Sequence, residues 1–198
     1  MKFKFLILAL SLFMACQSKP VSKEKEVISV ETDIKKDDNY YKCPIKTANE
    51  FGEKYLKNEI KLKDCNFCDS LLLAVVDKLS DKNIKEKPFW FAVLSKMSPE
   101  TDGYLSEGFG EEAHDFIENN PIQFSKNILS VQKDFPIETN LQNWADAIKG
   151  EIRITQEGNE KTATSKYIRK IRKKMAKATA KEDSIIDSFC KKLEKTGE

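Results

Sequence analysis

From residue 43 onward, apolar side chains return at every third and fourth position, and no stretch alternates long enough to supply a sheet strand. That periodicity predicts an all-α fold, a single helical domain of six or seven helices over residues 43–198. With 40% hydrophobic and 10% aromatic residues, the chain holds enough apolar material for a packed core. A chain segment of this size buries roughly two thirds of its unfolded surface, so it needs neither metal nor oligomer to be stable. Asn-Pro and Ser-Pro turns between helices suggest a HEAT-like stack, but no fixed-period repeat accompanies them, so a plain bundle fits equally well.

Helix ends are punctuated. The first helix is predicted over 47–58 with Phe51, Tyr55 and Leu56 inward, and the second over 66–80 with Leu72, Val75, Val76 and Leu79 inward. Pro88 suits the first turn of a third helix, which carries Trp90, Val93 and Met97 and ends at Ser98-Pro99. A fourth fits 102–119, with Tyr104, Leu105, Phe109, Ala113, Phe116 and Ile117 inward. Asn120-Pro121 then reads as cap and first turn of a fifth, and Thr139 as the cap of a sixth that carries Leu141, Trp144 and Ile148. After a polar turn at 156–160 comes a long terminal helix marked by Ile168, Ile171, Met175, Ile185 and Phe189, with a candidate break at 181–184 where Asp183 caps a new start.

The N-terminus follows different rules. Lys2 and Lys4 precede an apolar run from Phe5 to Ala15. Eleven residues make only about 16 Å of helix, half of a ~30 Å hydrocarbon core, so the segment reads as an export signal rather than a membrane span. It ends in Leu12-Phe13-Met14-Ala15-Cys16, which resembles the lipobox of bacterial lipoprotein precursors. The resemblance implies cleavage before Cys16 and fatty acylation of that cysteine, so residues 1–15 form the signal peptide. With Gln17 next, it also implies an outer-membrane location, facing the periplasm or the cell surface. Two or more acyl chains would anchor the product stably. Residues 16–42 are dominated by Lys, Glu, Asp, Ser and Thr and read as a flexible tether reaching about 25–30 Å. A short strand over Val27–Val30 is the competing reading.

The cysteines after Cys16 are Cys43, Cys65, Cys68 and Cys190, an even number suited to disulfides in an exported chain. A first helix about 16–18 Å long would separate Cys43 from the start of the second. Because disulfides need Cα atoms within about 7 Å, the preferred pairing is Cys65–Cys68 with Cys43–Cys190. The rival joins each of Cys65 and Cys68 to a distant cysteine.

Catalytic motifs are incomplete. His114, the sole histidine, forms Glu111-x-x-His114 on one helix face, but a bundled di-iron site needs that motif from two helices. Between Gly103 and Gly108, Ser106 has one residue too many before it for a nucleophile elbow. Gly108-Phe109-Gly110-Glu111-Glu112-Ala113 matches a dinucleotide fingerprint as a string, yet no strand precedes it and two glutamates would repel a pyrophosphate. Cys65-x-x-Cys68 resembles a thioredoxin-type dithiol without its βαβ setting. No metal and no cofactor are expected, and the domain reads as non-catalytic.

Charge placement is the informative signal. With 34 basic and 32 acidic residues the net charge is only +2, which argues against a nucleic-acid partner. Residues 98–160 nevertheless hold 4 basic and 13 acidic side chains, whereas 161–198 hold 12 and 5. The acidic part includes Glu107, Glu111, Glu112 and Asp115; the basic part includes Lys166, Arg169, Lys170, Arg172, Lys173, Lys174 and Lys177. Either these blocks neutralise each other within the fold, or the basic one meets an anionic envelope component or an acidic envelope protein. The first functional reading is a membrane-anchored envelope lipoprotein with a helical binding or scaffold domain. A periplasmic inhibitor or immunity lipoprotein that neutralises a hydrolase is the second. The third is an envelope enzyme using carboxylates or the Cys65/Cys68 dithiol.

Overall fold

The computed structural model of the protein describes residues 43, 45–65, 68–81 and 86–195. The signal, Cys16, the tether and the Val27–Val30 reading lie outside the described residues. Within them the chain is all-α, with eight α-helices joined by short turns and three single 3-10 turns. The helices are α1 (Ala48–Leu56), α2 (Asp69–Val76), α3 (Lys87–Met97), α4 (Gly103–Asn119), α5 (Pro121–Ser130), α6 (Ile137–Thr155), α7 (Glu160–Lys173) and α8 (Ala180–Glu194). No helix among the described residues is long and apolar enough to cross a membrane.

The count exceeds six or seven because the terminal helix is two helices. They part at residues 174–179, upstream of the expected break, and Asp183 is not the cap. Thr179 is: its side chain accepts from the Glu182 backbone N–H, while the Glu182 carboxylate accepts from the Thr179 N–H at 2.8 Å. This capping box satisfies two of the donors a helix start leaves unpaired. Thr47, at the expected start of the first helix, is the cap of α1, accepting from Glu50 N–H at 3.2 Å. Asn120 stands at the N-cap of α5 as expected, but its side-chain amide donates to the Phe116 carbonyl, 3.2 Å away, and makes no capping bond. Thr139 is not a cap, because α6 begins two residues earlier at Ile137, and Tyr104 of α4 is exposed rather than inward.

The helices form a bundle, not a stack. α6 packs against α3, α4, α5, α7 and α8, whereas a HEAT-like solenoid would bring each unit only against its neighbours. The reason is Trp144, fully buried in the middle of α6. Its ring stacks on Phe91 of α3 at 4.7 Å and meets Phe109 of α4 at 5.1 Å and Phe124 of α5 at 5.6 Å. Phe124 in turn lies 5.1 Å from Phe189 of α8. Five helices thus converge through one aromatic cluster, a geometry that adds directional contact to burial. The indole N–H donates to Ser95 Oγ at 3.2 Å, so the buried polar atom is satisfied.

The first helical hairpin is held differently. Beyond the end of α1 the chain reverses at Asn58, whose φ of 59° is left-handed, with Glu59 N–H bonding back to Lys54 O at 2.9 Å and Asn58 N–H to Tyr55 O at 3.1 Å. Asn tolerates that conformation better than most residues. Lys96 of α3 fastens the turn. Its ammonium donates to Tyr55 O and to Asn58 Oδ1, the latter at 2.8 Å, and lies 4.4 Å from the Tyr55 ring centroid. Tyr55 OH donates back to Lys96 O at 3.3 Å.

A disulfide joins Cys43 to Cys68, with Cα atoms 5.0 Å apart, and leaves Cys65 and Cys190 as buried free thiols. The preferred Cys65–Cys68 and Cys43–Cys190 pairs are therefore not formed. α1 has only nine residues, about 13 Å, and the reversal at Asn58 returns the chain along it, so Cys68 comes back level with Cys43. Cys65 and Cys190 have different surroundings: Cys65 Sγ lies 3.7 Å from Lys61 O, while Cys190 faces Arg172.

Candidate functional site

The basic block is carried by α7 and the turn after it. α7 buries Tyr167 and Ile171 against α4, α6 and α8, and its last turn concentrates Lys170, Arg172 and Lys173 where a helix C-terminus favours cations. Tyr167 fixes the rotation of the helix. Its OH donates to His114 O at 3.0 Å and its ring stacks on the His114 imidazole at 4.3 Å. His114 is thus half-buried against α7, with Nδ1 3.3 Å from Asp115 Oδ1.

With that rotation set, the basic residues separate into three groups. Lys170 pairs with Glu118 of α4 at 3.0 Å, and Lys174 donates to Asn119 Oδ1 at 3.0 Å. Arg172 turns the other way, to Asp183 at 3.5 Å and to Asp187 of α8. Lys166, Arg169 and Lys173 recur at three and four residues, which places them on one stripe of the helix, and all three are exposed. They and Lys177 have no acidic partner among the described residues.

The acidic residues also divide. Glu107, Glu111 and Asp115 are exposed and follow one another at four-residue intervals on α4. Glu112 leaves that row and accepts from Ser80 Oγ. Sequence reading missed Glu151 of α6, which is half-buried facing the row. Burial pushes its carboxyl above the ordinary range; His114 pulls it down, and the carboxylates of Glu111, Asp115 and Glu107 push it further up. Its only advance signal is an acid at a helical position that otherwise faces inward.

The dithiol reading meets a different arrangement. Cys68 stands at the N-terminus of α2, but its sulfur is bonded to Cys43. Burial raises the Cys65 thiol, and it pushes the Cys190 thiol to about 11, the reverse of what activates a nucleophilic cysteine. No group of three or more His, Cys, Asp or Glu side chains among the described residues is arranged to hold a metal ion.

No family model matches the chain, and no curated protein or solved structure shows significant similarity to it.

Proposed function

We propose that the chain is a cell-envelope lipoprotein, anchored through acyl chains on Cys16, whose helical domain is a non-catalytic binding or scaffold module. One observation carries the domain's part: Lys166, Arg169 and Lys173 share a stripe of α7 while Lys170, Arg172 and Lys174 are taken up by contacts to α4 and α8. Internal pairing thus consumes about half of the basic block. The remainder suits an anionic envelope surface, where each cation near the membrane contributes about 1 kcal/mol at low screening. With only three arginines in the chain, the attraction is diffuse charge rather than bidentate phosphate recognition.

Fatty-acid labelling of cells tests the anchor: wild-type protein should take up label and the Cys16→Ala variant should not. Unlabelled wild-type protein would remove the premise. Flotation of the Cys16→Ala protein with vesicles containing anionic phospholipid tests the stripe. Replacing Lys166, Arg169 and Lys173 by Gln should abolish association that 50 mM salt permits, and unchanged flotation would count against it.

The acidic row on α4 favours the inhibitor or immunity reading as the alternative, because Glu107 and Glu111 are exposed and form no ion pair among the described residues. Co-purification of a basic hydrolase, lost in Glu107→Gln/Glu111→Gln, would move the assignment there.

A further inference from the structure

α6 contains a glycine that packing does not explain. At Gly52, Gly108 and Gly110 an added Cβ would come within 2.9–3.3 Å of Phe89, Leu73 and the Ala147 carbonyl respectively, so close approach of a neighbour requires the missing side chain. Gly103 and Gly158 hold positive φ, which side chains resist. Gly150 does neither. It lies inside α6, and a Cβ there would meet nothing within 4 Å. An interior helical glycine destabilises relative to alanine, so this position carries a cost that no neighbour accounts for.

Gly150 lines a groove of about 800 Å³ between α6, α7 and the last turn of α8. That volume falls in the range of small-ligand sites, not of flat protein interfaces. Ile152 and Leu193 give it an apolar base, and Thr164 and Ser165 line its α7 wall. Seven charged side chains surround it. Asp146 and Lys149 are paired with each other at 3.6 Å, and Glu160 accepts from the Gly158 N–H at 3.0 Å. Arg153, Lys161 and Lys195 remain, each without an acidic partner among the described residues, against two carboxylates that pair with no cation, Glu160 and Glu194. The residual charge is +1, of the sign that attracts a phosphate monoester.

We propose that this groove binds a single-chain amphiphile with a phosphate head, its head held by Arg153, Lys161 and Lys195 and its chain laid over Gly150, Ile152 and Leu193. The site is separate from the outer stripe of α7, and it does not depend on acylation of Cys16.

The probe is dodecyl phosphate below its critical micelle concentration, titrated calorimetrically into the full-length protein. Saturable one-site binding is expected, with none for inorganic phosphate or for a neutral dodecyl maltoside at the same concentrations. Arg153→Gln/Lys161→Gln should weaken binding at least tenfold. Gly150→Leu should abolish it while the helical circular dichroism is retained. Gly150→Ala should raise Tm by roughly 2–4 °C and weaken binding. Absence of saturable binding, equal binding of inorganic phosphate or the maltoside, or affinity indifferent to the Gly150 and cation variants would each overturn the site. Gly150→Ala without a rise in Tm would overturn the inference that the glycine is retained at a cost.

Discussion

The centre of the bundle and its first hairpin solve the same problem by different means. Around Trp144, five helices contribute aromatic rings that remove large apolar areas from water, and the indole N–H is satisfied by Ser95. The hairpin of α1 and α2 also buries Phe51, Tyr55 and Val75, but its path depends on a disulfide, a left-handed asparagine and one lysine. Burial alone suffices where many helices share one hub. Where a helix of nine residues must turn back on itself, the reversal needs explicit fasteners, because so short a helix is not stable in isolation.

The sharpest way to break this contrast is Trp144→Ala. It should cost about 3–5 kcal/mol, read from urea denaturation, and should loosen α3, α5 and α8 together; a cost confined to α6 would show that the hub is not shared. Next is Cys43→Ser/Cys68→Ser. The two cysteines are 25 residues apart, so losing the crosslink should cost about 3 kcal/mol by loop-closure entropy. Hydrogen exchange should rise in α1 and leave α6 protected. In the Cys16→Ala background, iodoacetamide should modify two thiols, those of Cys65 and Cys190, only after denaturation; a different number would refute the pairing.

Lys96→Met keeps the length of the side chain and removes its donors to Tyr55 O and Asn58 Oδ1. It should cost about 1–2 kcal/mol, with the exchange change confined to residues 55–59. The smallest effect is expected at the edge of the centre, where burial holds the Glu151 carboxyl above its ordinary range. A raised folded-state value means the contribution is fully present below the unfolded value and is lost as pH rises through the folded one. Glu151→Gln should therefore be more stable than wild type at pH 7 and lose that advantage near pH 4. Equal stability at both would show that the carboxyl titrates as if exposed.

The elements set by local chemistry were legible in the sequence. α1 starts beside Thr47, Pro88 and Pro121 start helices in their first turns, and the period of three and four picks out Trp90, Val93, Trp144 and Ile148 as inward. The Thr179-x-x-Glu182 capping box was also present in the chain, but Asp183 beside it offered an equally plausible cap. What could not be read was set by tertiary placement. The cysteine pairing hangs on one left-handed residue, Asn58, and nothing local to Cys43 or Cys68 reports it. The division of the basic block depends on which flank of α7 meets α4 and which meets α8, and that is fixed by Tyr167 stacking on His114, 53 residues away. Glu151 gained its character from the same encounter of helices.

The Cys43–Cys68 bond has a mechanical meaning. Residues 44–67 lie inside a covalently closed ring, so tension arriving along the chain from residue 42 passes from one sulfur to the other and enters the domain at α2. α1, the Asn58 reversal and the Lys96 fastening lie off the load path. A force large enough to extend the domain must first act on α2 and the helices behind it, and α1 is spared as long as the bond is intact.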